Sequence, residues 1–296
     1  MDLIDGLKAF VATAQTGSFT EAAERLGVSN RLTSKYVAQL EDRFGARLLQ
    51  RTTRKVGLTP TGQELLIRAS ALLDEFDDML DSVNEASKGL TGMLRISAPV
   101  TFGEIYLAEL LNHFSLQNPN LAIDLRLTDS YVDLASEGFD LAFRIGLPDV
   151  ATLKTRKLAE ITSYLVASPE YLAINGIPHS IEELDQHRCI VDTNRRSYGK
   201  WNFTKEQQQI VFTPPRKLMV NSARIAKQWA LEGHGIALCP DFVLNDDIAQ
   251  GRLIKVLSDY QAPSHPISAV YLSGNVMPRK VRALIDFAVE YFKPAP

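Results

Sequence analysis

The chain has 296 residues, 45% hydrophobic and 23% charged, a composition that excludes wholesale disorder and is long enough for two or three domains. No apolar run approaches the about 18 residues of a membrane span. The start Met1-Asp2-Leu3-Ile4-Asp5 lacks the basic and apolar blocks of a secretory signal, so the expectation is a cytoplasmic protein without membrane attachment.

The net charge of −3 hides a division along the chain. Residues 29–60 carry Arg31, Lys35, Arg43, Arg47, Arg51, Arg54 and Lys55 against only Glu41 and Asp42. Residues 61–90 reverse this, with Arg68 and Lys88 facing Glu64, Asp74, Glu75, Asp77, Asp78, Asp81 and Glu85. The remainder is nearly balanced, so a positive field is confined to a small amino-terminal segment and three modules are implied. The two cysteines, Cys189 and Cys239, are too few for a disulfide framework and stand at no zinc-finger spacing. They read as structural thiols, with thiol sensing as the alternative.

In chain order, Leu3, Leu7, Phe10, Val11 and Ala14 recur at helical spacing until Gly17. Ser18-Phe19-Thr20-Glu21 has the form of a capping box, which predicts a second helix carrying Ala22, Ala23 and Leu26 and stopping at Gly27. Ser29 is placed to cap a third. Two short helices across a glycine-containing turn match helix-turn-helix geometry. On the third helix Leu32, Thr33, Tyr36, Val37, Leu40 and Phe44 fall on one side, and Arg31, Ser34, Lys35, Ala38 and Asp42 on the other. The exposed side is small and basic near its start, as in a helix whose first residues meet base edges and phosphates. Residues 47–58 alternate apolar anchors with basic side chains, as a short hairpin wing would; a solvated basic loop is the alternative.

The run Gly17-Ser18-Phe19-Thr20-Glu21-Ala22-Ala23-Glu24-Arg25-Leu26, then Ser34-Lys35-Tyr36-Val37-Ala38-Gln39-Leu40-Glu41, Leu48-Leu49-Gln50-Arg51 and Leu58-Thr59-Pro60-Thr61-Gly62 resembles the LysR-type transcriptional regulators. That resemblance implies an α+β multidomain chain: a winged helix-turn-helix DNA-binding domain (1–60), a linker dimerisation helix and hinge (61–90) and an α/β effector domain (91–296). The effector domain would be of type 2 periplasmic-binding-protein-like architecture, with Rossmann-like subdomain I at about 91–161 and 267–296 and subdomain II at about 162–266. Its implied partners are double-stranded operator DNA and a small-molecule effector, with RNA polymerase as a further candidate. Its implied assembly is a homodimer that pairs into a homotetramer. Asn30, Arg31, Ser34 and Lys35 are assigned to the major groove, and Arg51, Arg54 and Lys55 to phosphates or the minor groove. Where the family commonly has Ser-Gln-Pro and Ser-Arg, this chain has Ser29-Asn30-Arg31 and Ser34-Lys35. A lysine offers a point charge in place of the planar fork that grips guanine, so the family's base preference is not carried over to that contact.

Thr59-Pro60 reads as a cap followed by proline at the first helical position. Leu65, Ala69, Leu72, Phe76, Met79, Val83 and Ala86 then alternate at steps of four and three residues, a heptad seam that calls for a partner helix. Burial against the chain's own core is the competing reading; the family resemblance favours an antiparallel dimer. A helix over 61–88 would be ~42 Å long. Lys88-Gly89 and Thr91-Gly92 supply the hinge.

Strand signals at 94–98, 122–127, 141–145, 162–167, 189–191, 236–239 and 267–272 alternate with helical ones at 102–117, 222–232 and 278–291. That pattern predicts mainly parallel sheets with ligands at strand carboxyl ends. At such ends stand Thr101, Ser130, and Asn221 with Ser222. Hydroxyls and helix starts converging there favour an anionic group. Arg144 is either its counter-charge or a structural ion pair. Trp201, Phe203 and Pro240 either line the pocket or pack. The chain contains no nucleophile elbow, no phosphate-binding loop, no dinucleotide fingerprint and no metalloprotease helix, so neither enzyme activity nor a cofactor or metal is expected. His234, between Gly233 and Gly235, is placed at a helix carboxyl end. A solute-sequestering protein remains as the alternative function, and the basic winged module argues against it.

Overall fold

The computed structural model describes residues 2–51, 56–83, 89–146, 153–195, 198–273 and 277–293. Arg54, Lys55 and Ala86 lie outside the described residues, as do the side chains of Arg51 and Val83.

The first module packs α1 (Leu3–Thr16), α2 (Phe19–Leu26) and α3 (Asn30–Phe44) around Leu7, Phe10, Val37, Leu40 and Leu48. Each helix ends on a left-handed glycine, Gly17, Gly27 and Gly45, a conformation that costs a residue with Cβ. Ser18 Oγ accepts the Glu21 N–H at 3.4 Å, but the return arm of the expected box is replaced: the Ser18 N–H donates to Thr16 Oγ1 at 3.3 Å. Phe44, expected on the apolar side, is 46% exposed, because the helix stops at Gly45, beyond the reach of the core.

The wing is a hairpin of β1 (Leu49–Arg51) and β2 (Val56–Leu58), with Leu49 opposite Leu58. Buried Glu41 anchors it from α3. One carboxylate oxygen accepts the Leu48 and Leu49 N–H groups at 2.8 and 3.1 Å, and the other accepts Arg47 Nη1 at 3.0 Å. Next comes α4 (Pro60–Val83), capped by Thr59 Oγ1, which accepts the Gly62 N–H at 3.0 Å. Gly62 is required there, since a Cβ would stand 2.0 Å from the Leu48 carbonyl oxygen.

The expected seam on α4 divides. Ala69 belongs to the first module's own core with Leu66 and Leu73, and Leu65 packs against it. Leu72 and Met79 are about half exposed and Phe76 is half-buried. Thus the competing reading holds for the first turns and an open apolar stripe remains beyond them.

Beyond α4 the described residues form two five-stranded sheets. The first is built from β3 (Gly92–Ala98), β4 (Leu121–Leu127), β5 (Leu141–Ile145), β6 (Leu153–Ile161) and, much later, β14 (His265–Leu272). The second uses β7 (Ser163–Ala167), β8 (Cys189–Asp192), β11 (Leu218–Val220), β12 (Ile236–Pro240) and β13 (Ile254–Lys255). The expected mainly parallel sheets are mixed. β3, β4 and β5 run parallel, as do β8, β11 and β12, but β14 pairs antiparallel with β5 and β6, and β7 with β12 and β13. The chain crosses to the second sheet at Thr162 and returns along β14. A hairpin of β9 (Trp201–Lys205) and β10 (Gln208–Phe212) lies outside both sheets.

Helices cover the sheets: α5 (Val100–Phe102) runs through a π turn at Gly103–Leu107 into α6 (Ala108–Gln117), and α7 (Leu134–Glu137), α8 (Pro169–Asn175), α9 (Ala223–Leu231), α10 (Asn245–Ala249) and α11 (Arg279–Tyr291) follow. A continuous core under them joins Leu94, Phe102, Leu110, Phe143, Ile190 and Leu284. No helix among the described residues is long and apolar enough to cross a membrane.

Candidate functional site

Two places concentrate functional chemistry. The first is the outer side of α3. Arg31 and Lys35 are exposed there, and neither forms an ion pair among the described residues. Asn30 and Ser34, expected beside them in the groove, are engaged with the protein: Asn30 Nδ2 donates to Thr20 Oγ1 at 2.8 Å, and Ser34 Oγ donates to Asn30 Oδ1 at 3.4 Å. They tie α3 to the start of α2 and so set the angle at which Arg31 and Lys35 project. The sequence showed the polar face but not that two of its four residues are turned to the protein.

The second is a cavity of about 490 Å³ between the two sheets. Subdomain I contributes Thr101, Asp129 and Arg144; the other side contributes Ser163, Arg195 and Trp201. Thr101, Asp129, Arg144 and Arg195 stand at strand carboxyl ends or in the turns that follow them, whereas Ser163 and Trp201 open β7 and β9. The Arg144 side chain is buried and donates to Ser97 Oγ at 2.9 Å and to the carbonyls of Phe143 and Ser130 at 3.3 and 3.4 Å. Among the described residues no carboxylate comes within 4.0 Å of it, so the structural ion pair is not formed. Burial pulls its pKa down, partly opposed by Tyr131, Asp129 and Glu137.

Arg195 has the same character on the opposite wall. Its Nη1 donates to Ser163 Oγ at 3.0 Å, and burial lowers its pKa against the pull of Asp192. Burial in turn raises the Asp192 carboxyl, whose oxygen accepts the Asn194 N–H at 3.0 Å. Trp201, on the same lining, has a buried Nε1 with no hydrogen-bond partner among the described residues.

The walls are clasped. Asn194 Nδ2 donates to Asp129 Oδ2 across the cleft at 2.9 Å and to the Asn221 carbonyl at 2.5 Å. Arg224 on α9 pairs with Glu104 on the π turn at 3.0 Å.

Of the expected residues, Thr101, Arg144, Trp201 and Pro240 line this cavity. Four do not. Phe203 is buried in the second sheet's core with Phe212. Ser130 faces solvent and contributes only its carbonyl to Arg144. Asn221 contributes a carbonyl to Asn194. The Ser222 hydroxyl is spent capping α9, where it accepts the Ile225 N–H at 3.4 Å, leaving Ala223 at the wall. Arg195, Asn194, Asp129 and Ser163 were missed. The rule that ligands gather at strand carboxyl ends would have found Asn194 and Arg195, two and three residues beyond β8.

Both cysteines are buried, and desolvation pushes each thiol up to about 12, the reverse of the exposed, low-pKa setting of a sensing thiol. His234 Nε2 lies 3.6 Å from Glu232 at the end of α9. No group of His, Cys, Asp and Glu among the described residues could hold a metal ion.

Comparison with known proteins matches both regions. Residues 4–63 match the family described as bacterial regulatory helix-turn-helix protein, lysR family, and residues 87–293 match the LysR substrate binding domain. The transcriptional regulator PtxR of Pseudomonas aeruginosa is 34% identical over 99% of this chain and 94% of its own. DmlR of Escherichia coli K12 is 34% identical, covering 99% and 95%. Among solved structures, the full-length Vibrio cholerae virulence activator AphB aligns with a TM-score of 0.64 at 30% identity, covering 99% of this chain and 100% of its own. CrgA of Neisseria meningitidis aligns at 0.64 and 32% identity, covering 98% of each chain.

Proposed function

Given that the chain belongs to the LysR family of bacterial helix-turn-helix transcriptional regulators, we propose that a small anionic metabolite bound between its two effector subdomains changes how it holds operator DNA. The observation that carries this reading is Arg144: a guanidinium kept in a cleft, buried, with neutral partners and no carboxylate within ion-pair distance among the described residues. Such a charge is costly unless a counter-ion completes it. Arg195 adds a donor from the facing wall, and the clasp through Asn194 and Arg224 joins surfaces that a ligand would draw together or part.

On this reading residues 1–60 contact DNA through Arg31 and Lys35, with Arg51, Arg54 and Lys55 on the backbone. The exposed stripe Leu72, Phe76 and Met79 pairs two chains, and effector domains pair again into a tetramer. The work is done at the chromosome in the cytoplasm, and RNA polymerase is the partner on which a change in promoter output falls. Occupancy regulates only through a difference in affinity between two arrangements; a coupling of about 1–3 kcal/mol gives roughly 5- to 150-fold in DNA affinity.

The test screens small carboxylates, phosphates, amines and neutral sugars by thermal shift, then measures hits by calorimetry on wild type, Thr101→Val and Arg144→Met. Anionic hits weakened in both variants are expected. Cationic or neutral hits, or anions bound equally by all three proteins, would overturn the assignment.

A further inference from the structure

Among the described residues, the DNA-binding module meets the effector domain of its own chain around α7 and the turn that ends it. α7 ends at Gly138, which is left-handed at φ 72° and whose backbone N–H donates to the Leu134 carbonyl. A Cβ at this position would lie 2.6 Å from Gln15 Cδ and 3.0 Å from its Cγ, so the α1 side chain occupies the space that only glycine leaves empty. Gln15 is itself held, since its Oε1 accepts Arg25 Nη1 at 2.7 Å. Arg25 on α2 stands in the field of Asp140, Asp124 and Arg95, all on the effector side. Ile67 and Ala71 of α4 face Leu134 and Phe139 across a cavity of about 270 Å³ that Gln15 and Gly138 also line.

The other end of α7 leads straight to the cleft. Asp133 Oδ1 accepts the Ala135 and Ser136 N–H groups at 3.0 and 3.3 Å, and Glu137 reaches back to accept the Asp133 N–H at 2.9 Å. Four helical residues capped reciprocally at the start and by glycine at the end make a short rigid lever. The segment before it holds Asp129 and Tyr131 of the cleft lining, and the Ser130 carbonyl that Arg144 grips. Ten residues therefore connect the cleft wall to the seat of Gln15.

We propose that the Gly138 turn is a docking seat for the chain's own DNA-binding module, with Gln15 as the plug, and that seating sets the module's posture on DNA. The plug comes from α1, while α4, the helix that tethers the module, flanks the same turn, so plug and tether together fix an orientation that neither fixes alone. The cleft segment moves the seat. This inference goes beyond the anionic-effector reading, and its test uses no effector, so the two fail separately.

The test is a Gln15→Cys/Gly138→Cys double variant of the full chain. A 3.0 Å contact one bond from the Gln15 Cβ brings the two Cβ atoms within disulfide reach, about 3.5–4.5 Å. Both native cysteines are buried and do not compete. Mild copper-phenanthroline oxidation should give an intrachain cross-link at monomer mass on a denaturing gel. The oxidised and reduced forms should differ at least about 5-fold in affinity for a duplex that the wild-type protein selects from a random-sequence pool. No cross-link, a cross-link between chains, or affinities within twofold would overturn the proposal. Because a cysteine at 138 must adopt positive φ, Gln15→Ala is measured in parallel by hydrogen exchange on the full chain. Amides 134–139 should exchange at least fivefold faster, by the same yardstick; unchanged exchange also overturns the proposal.

Discussion

Replacing Glu41 with alanine should unfold the DNA-binding module far more readily than removing its ion-pair partner. Glu41 Oε1 accepts the N–H groups of Leu48 and Leu49, residues 1% and 7% exposed, and α3 and the wing meet through these bonds. Each buried amide left without an acceptor costs about 1–3 kcal/mol. With both amides orphaned, Glu41→Ala should cost roughly 2–6 kcal/mol. The Arg47 pair is different. Its guanidinium side is 84% exposed, and an exposed pair contributes about 0–1 kcal/mol, so Arg47→Ala should be nearly silent. Glu41→Gln, which keeps a carbonyl oxygen for the two amides and loses the charge, should fall between them. Both tryptophans, Trp201 and Trp229, lie in the effector region, so intrinsic fluorescence does not follow this module. Far-ultraviolet dichroism does, because α1 to α4 are helical. For a module of this size, 2 kcal/mol lowers Tm by roughly 8–16 °C, and the effector transition should stay in place. Equal losses for Glu41→Ala and Arg47→Ala would refute the reasoning and put the ion pair in command.

Other outcomes follow from the same geometry. Arg31→Ala and Lys35→Ala should change base preference in a random-sequence selection, each contact being worth about 1–3 kcal/mol, whereas Thr20→Val should blur preference at both positions by releasing Asn30. A selection profile identical to wild type in all three would remove α3 from base reading. Arg54→Ala should weaken binding to every duplex alike and flatten the salt slope by roughly one unit, measured by anisotropy titration at several salt concentrations. Phe76→Asp should abolish the linker-mediated dimer in light scattering, whereas Leu66→Ala, in the module's own core, should leave mass unchanged and cost about 2–5 kcal/mol of stability; unchanged mass for Phe76→Asp would refute the stripe as a pairing surface. Neither thiol should react with Ellman's reagent at pH 8 in the native protein, since both ionise only at about 12, and both should react in guanidinium. Rapid labelling of either cysteine in the native state would restore the thiol-sensing alternative.

The features legible in the sequence are those whose cause lies within four or five residues. Ser18, Ser29 and Thr59 cap the helices that follow them, and Gly17, Gly27 and Gly45 stop the helices before them, because cap and stop geometry needs only local backbone. The hairpin β9–β10 shows the limit of that rule. Its turn places Glu206 and Gln207 at positive φ, without the glycine or asparagine that normally announces such a turn, and the hairpin is held by long-range packing of Trp201, Phe203 and Phe212. The mixed sheets were illegible for the same reason, since the antiparallel return depends on β14, more than a hundred residues after β5. On α4 the heptad count saw one stripe where the helix has two. Leu66, Ala69 and Leu73 follow the same three-and-four spacing on a neighbouring face, and only the presence of α1 decides that this face is the one covered. The cleft joins both kinds of signal. Thr101 and Arg144 follow from strand ends, while the Asn194 to Asp129 clasp spans 65 residues and no local spacing encodes it. A regulator's site must lie between parts that can move apart, so its decisive contacts are drawn from distant segments. Local sequence signals therefore locate the walls of this cleft more readily than what joins them.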